Sequence, residues 1–160
     1  PLIQKQADCI STMTYNEYGQ VLDAGIPAED LLVFNYRDEG VGMLEDGLYV
    51  LEDSLDDPAF VEKMTKFVRA SMKGWEYSRE NPEEAAQIVV DNDMTGAMTV
   101  EDQLYQVIEA NKLAEGSTGV LDEADYRQTV DTLLSAVSED NPAITKEPEG
   151  AFTHVVTDGL

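Results

Sequence analysis

From Pro58 onward the chain is written in helical spacing: Phe60, Met64, Phe67, Val68, Ser71 and Trp75 return to one face, and the pattern persists to about Arg79. A stripe of that width needs a surface to cover it. "NPEEA" at 81–85 starts the next helix, with Asn81 as cap, Pro82 in the first turn, and Glu83 and Glu84 complementing the dipole. Thr99 can cap a helix carrying Leu104, Val107 and Ile108. Asp122 can cap another carrying Tyr126, Val130, Leu133, Leu134 and Val137, which "SEDNP" at 138–142 stops.

Ahead of Pro58 the pattern differs. Residues 8–14, "DCISTMT", read as a strand buried on both faces. A short helix from Tyr15 to Ala24 follows, with Tyr18, Val21 and Leu22 on one side and Gly25 and Pro27 ending it. "LLVFN" at 31–35 and "GLYVL" at 47–51 read as two further strands. The tail "AFTHVV" adds a last strand or packs down. The class is therefore α/β, helix-rich, with more helical apolar face than the few strands can cover, so the sheet is incomplete within these residues.

The chain has 160 residues, enough for one domain that buries about two-thirds of its unfolded surface. Its 33 acidic residues outnumber 10 basic ones, for a net charge of −23, which disfavours nucleic acid and anionic membranes as partners. The acids are spread along the chain, as on a solvated surface suited to a salty medium. No stretch approaches the roughly 20 apolar residues of a membrane span, and no secretory leader is recognised. Cys9 excludes an intrachain disulfide because it is the single cysteine, and it reads as a small buried side chain. Asp8, just before it, argues against lipid attachment. Beginning at Pro1 without Met, the chain reads either as one whose leader was removed or as part of something longer.

Catalytic sets are thin. His154 is the single histidine, so no histidine–cysteine metal cluster can form, and "GxSxG" does not occur. "EGVGML" at 39–44 lacks the spacing and lysine of a P-loop and reads as a tight turn. The polar group Thr14, Tyr15, Asn16 and Glu17 stands where a strand gives way to a helix, the position at which open α/β sheets present ligand contacts. Tyr15 could stack on a flat ligand, Asn16 could donate and accept, and Glu17 could accept from ring or amino N–H groups. A capping box in which Thr14 serves Glu17 explains the same residues equally well.

"ADCISTMTYNEYGQVLDAG", "VFNYRDEGVGMLEDGLYVLEDSL" and "DPAFVEKMTKFVRASMKGWEYSRENPEEAAQIVVD" resemble, in that order, the second half of solute-binding proteins of ABC importers related to the thiamine-pyrimidine synthesis proteins, a family that includes sulfonate and riboflavin binders. The resemblance covers residues 5–140. It implies part of a two-lobed type II periplasmic-binding-protein fold: residues 1–36 end the second lobe and cross over, and 37–160 form the C-terminal part of the first. Thr14, Tyr15, Asn16, Glu17 and the Asp38-Glu39-Gly40 turn would then contact ligand. Trp75 would pack in the first lobe, and Tyr36 is undecided.

The resemblance further implies a periplasmic or extracytoplasmic receptor without cofactor, metal or catalytic residues, which closes on a small nitrogen-ring metabolite and presents it to an ABC permease. The missing N-terminal half, or a swapped second copy, would cover the open edges. The rival within the family is the pyrimidine-forming enzyme, which uses a vitamin cofactor, one of its own histidines and a cysteine-rich segment. Cys9 and His154 give that branch no support.

Overall fold

The computed structural model describes residues 1–136 and 143–160. Among the described residues the chain forms five helices: α1 Glu17–Asp23, α2 Pro58–Glu80, α3 Pro82–Asp91, α4 Val100–Leu113 and α5 Glu123–Ser135. Short 3-10 turns lie at Ala28–Asp30, Glu52–Asp56 and Thr157–Gly159. Contacts divide the chain into two compact units, Pro1–Leu32 with Ser71–Ser117 and Val33–Ala70 with Thr118–Leu160.

The helices begin where their local chemistry says they should. Pro82 opens α3. The Thr99 hydroxyl accepts from the Asp102 N–H at 3.2 Å, and Asp122 accepts from Ala124 and Asp125 at 2.7 and 3.2 Å. Asn81 departs from the expected cap: its amide donates back to the Tyr77 carbonyl at 3.1 Å instead of accepting from α3. Val137 and the 138–142 stop signal lie outside the described residues.

In the first unit α3 packs along α4, with Ala86 fully enclosed at 0% exposure. The end of α2 joins through Ser78 and Asn111, whose side chains exchange hydrogen bonds of 3.3 and 3.1 Å. One carboxylate organises the α3–α4 connection. Asp93 accepts from the Thr95 N–H and hydroxyl at 2.7 and 2.6 Å, and from the Ala97 and Met98 N–H groups at 2.8 and 2.9 Å. The Thr95 hydroxyl first, then these backbone donors, hold its carboxyl down at about 2.

In the second unit α5 gathers the loops. Gln128 donates to the Gly40 carbonyl at 2.9 Å, and the Leu44 N–H donates to the Thr129 hydroxyl at 2.8 Å. Phe152 packs on Tyr126 with ring centres 4.6 Å apart, so "AFTHVV" packs down and adds no strand. His154 meets Glu123 at 3.2 Å and the Phe152 ring edge-on. On α2, Thr65 and Arg69 donate to the carbonyls of Val156 and Gly159 at 2.7 and 2.8 Å.

The expected strands at 8–14, 31–35 and 47–51 are not found: no strand forms among the described residues. A strand exists through ladder hydrogen bonds to a neighbour, and here those backbone groups are engaged locally or left open. Met13 gives its N–H to Glu17 and its carbonyl to the N–H groups of Asn16 and Tyr18. Phe34, Tyr49 and Leu51 are 60%, 83% and 78% exposed. The sheet half of α/β is therefore absent from the described residues, which are helix-rich. Cys9 is exposed rather than buried, because the strand meant to bury it does not form.

The surface records the same shortfall. The chain exposes 12128 Å². Two separate packed units of half its mass would together expose about 9,600 Å².

Two measurements test this packing. Thr65→Val removes the hydroxyl that holds the tail and should cost about 1 kcal/mol in denaturant unfolding, with faster proteolysis after residue 155. For Asp93 the folded carboxyl lies below its unfolded value of about 4, so its stabilisation is complete above pH ~4 and is lost as pH falls towards 2. The stability gap between the native chain and Asp93→Ala should be flat above pH ~4 and close below it; a gap independent of pH down to 2 would contradict that role.

Candidate functional site

Residues Thr14–Glu17 form a turn that enters α1. The anticipated capping box does not form: Asn16 is the cap residue, with φ −137° and ψ −89°, and its side chain makes no cap bond. Glu17 instead reaches back, its Oε2 accepting from the Met13 N–H at 2.9 Å. Asn16 Oδ1 accepts from the amides of Gln20 and Gln106 at 2.9 and 3.4 Å. The Tyr105 hydroxyl, from α4, donates to the Thr14 carbonyl at 2.9 Å.

That last bond depends on a glycine. A Cβ at Gly19 would lie 2.5 Å from the Tyr105 ring, so the ring rests directly on the α1 backbone. Burial first, then the Glu109 carboxylate, raises the Tyr105 hydroxyl above the usual phenol range. It stays protonated and remains a donor at ordinary pH.

Held in this way, Glu17 faces a cavity of about 470 Å³ bounded by residues 1–3, residues 10–12 and α1. Its walls are Leu2, Ile3, Ile10 and Val21; its polar groups come from Ser11, Thr12, Glu17 and Gln20. The Met13 N–H, and then its own N–H, hold the Glu17 carboxyl below the usual range, so it is ionised at neutral pH. Of the four turn residues, Glu17 lines this cavity while Thr14, Tyr15 and Asn16 do not. Tyr15 is half-buried and Thr14 exposed.

Asp38, Glu39 and Gly40 sit in the second unit, all exposed, in a turn closed by the Glu39, Gly40 and Val41 N–H groups on the carbonyls of Asn35, Arg37 and Tyr36. Gly40 holds a φ of +76°, which its lack of Cβ permits. A concavity of about 440 Å³ in the same unit is lined by Leu55, Pro58, Val61 and Val155. Its one acid, Glu62, is tied to Lys66 at 2.6 Å. Trp75 lies on α2 and is half-exposed at 40%.

The family model described as NMT1/THI5 like matches residues 1–85, just over half of the sequence. This chain belongs to the NMT1/THI5-like family. The match takes in the whole turn, the cavity and the 38–40 turn. Membership of the NMT1/THI5-like family covers both solute-binding proteins of ABC importers and proteins of thiamine-pyrimidine synthesis. No curated protein and no solved structure matches the chain. No described helix is long and apolar enough to cross a membrane, and no group of acids, histidine and cysteine among the described residues could hold a metal.

Ser11, Thr12, Gln20, Tyr105 and Gln106 also belong to the site's surroundings and are not among the residues expected from the sequence. Gly19 is the available signal for Tyr105, since glycine inside a short helix marks a close approach by another element.

Gly19→Ala should push the Tyr105 ring off α1 and cost about 1–3 kcal/mol. Tyr105→Phe should cost about 1 kcal/mol through the Thr14 bond. A double-mutant cycle by chemical denaturation checks both: the two effects must be non-additive if ring and glycine form one contact.

Proposed function

We propose that this chain is part of the solute-binding component of an ABC importer, an extracytoplasmic receptor that holds a small nitrogen-ring metabolite without changing it. The observation that carries this reading is the ionised Glu17 carboxylate, fixed by Met13 and facing a cavity, in a chain of the NMT1/THI5-like family. Tyr15 would supply a ring face, and Thr14 and Asn16 the adjoining polar contacts. The Asp38-Glu39-Gly40 turn would complete the ligand's surroundings. In this proposal the chain belongs to a two-lobed type II periplasmic-binding-protein fold, residues 1–36 closing the second lobe and 37–160 belonging to the first. The lobes would close on the ligand about a hinge and present it to the permease.

The missing N-terminal half, or a swapped copy, would cover the exposed segments around Phe34, Tyr49 and Leu51 by adding the strands they lack. The alternative is the pyrimidine-forming enzyme of the same family. His154 is engaged with Glu123 and Phe152, which favours a packing role for it over a reacting one.

Thermal denaturation in the presence of aminopyrimidines, flavins, sulfonates and polyamines tests the reading. A bound compound at about 100 times its Kd adds about 2.7 kcal/mol and should raise Tm by roughly 5–10 °C. Tyr15→Ala and Glu17→Gln should each abolish the rise. A stabilising compound recovered chemically altered would favour the enzyme, and a rise unchanged in both variants would remove these residues from the site.

A further inference from the structure

Segment 151–160 is organised within itself as well as against the helices. The His154 carbonyl accepts from the Asp158 N–H at 2.8 Å and the Thr157 hydroxyl at 3.2 Å, and the Leu160 N–H closes on the Thr157 carbonyl at 3.1 Å. This small body bridges two helices of the second unit. On α2, Thr65 and Arg69 hold the carbonyls of Val156 and Gly159, and a Cβ at Gly159 would stand 3.2 Å from the Thr65 methyl. On α5, Tyr126 carries Phe152 and Glu123 meets His154. The extensive helix pairing among the described residues is α3 on α4, and α2 and α5 share no such interface. The segment therefore joins two helices that pack little on each other.

The root of the segment is tied down and its neck is free to turn. Arg127 of α5 pairs with Glu147. Three residues further on, Gly150 holds a φ of +62°, and a Cβ there would meet no atom within 4 Å. Glycine adopts that conformation without steric cost. Past Gly150 the ties to α2 and α5 are single polar bonds and one ring pair, the kind of contact that opens locally while the rest of a unit stays folded. Val155 and Gly159 line the concavity of about 440 Å³ opposite Leu55, Pro58 and Val61. Lifting the segment takes away that side of it and uncovers Thr65, which is 8% exposed while the segment is down.

We infer that residues 152–160 form a strap that swings about Gly150 as one body, closing the concavity on the first turns of α2 when it is down and opening it when it lifts, while Glu147 stays tied to α5. Its own hydrogen bonds keep it compact, so release from α2 and release from α5 are a single event. The device goes beyond the receptor reading, which asks nothing of this segment.

Two reporters in the whole 160-residue chain test it without any ligand. In a Cys9→Ser background, Thr65→Cys puts a thiol beneath the strap, and N-ethylmaleimide reaches it when the strap lifts. Phe152→Ala, which acts at the other helix, should speed that labelling about fivefold, the loss expected for one ring pair. Gly150→Ala strains the neck without touching a neighbour and should speed it by at least as much. Labelling should depend weakly on urea, because lifting the strap exposes little surface. His154 is the single histidine, so its ring signals stand alone in the NMR spectrum. Thr65→Val should move them, at constant pH, towards the positions of free histidine although α5 is unaltered.

Labelling that neither Phe152→Ala nor Gly150→Ala accelerates overturns the strap. Histidine signals left in place by Thr65→Val do so too, because the two ends then release separately. Labelling as steep in urea as unfolding of the chain means that segment and unit open together, and also overturns it. Should Phe152→Ala fail to fold, Gly150→Ala carries the labelling test by itself.

Discussion

The contact of the Tyr105 ring with the backbone at Gly19 determines how the first unit is put together. A side chain at residue 19 would hold the ring away, and the hydroxyl would then fall short of the Thr14 carbonyl. Because it does reach, the turn before α1 is pinned to α4 by a donor that burial keeps protonated. Gln106, one residue further along α4, extends the same hold to Asn16. Glu17 then has a fixed base from which to reach Met13 and the cavity. The candidate site is thus a product of a helix pairing more than eighty residues away in sequence.

The second unit solves a different problem with the same kind of device. Its loops have no sheet to join, so α5 takes them up one polar group at a time, through Gln128, Thr129 and the Tyr126 ring. Val130, on the same helix, is an apolar residue buried in this unit at 2% exposure. Such bonds satisfy individual backbone groups but bury little hydrocarbon, and hydrocarbon burial supplies most folding free energy. The exposed Phe34, Tyr49 and Leu51 measure what is left undone.

What could be read from the sequence was local. The span of α2, the Pro82 start of α3 and the caps at Thr99 and Asp122 each depend on residues within one helical turn, and each is found. The three expected strands do not form because composition reports the readiness of a segment to pair, while a strand also requires a partner at the right register. Cys9 is exposed for the same reason, since its expected burial depends on a strand that does not form. At the site, Glu17 could be singled out by its place before a helix, but its bond to Met13 replaced the expected exchange with Thr14. Tyr105 and Gln106 could not be placed from spacing, since nothing in the sequence around them announces α1.

Segments such as 48–51, apolar, exposed and outside any helix, are the material from which cross-β stacks grow. A molecule displaying them at neutral charge would be colloidally fragile. With a net charge of −23 spread along its length, each copy repels the next before those strips can meet. Acidity of this kind contributes nothing to the fold itself; it acts as a gatekeeper that keeps exposed apolar surface dispersed.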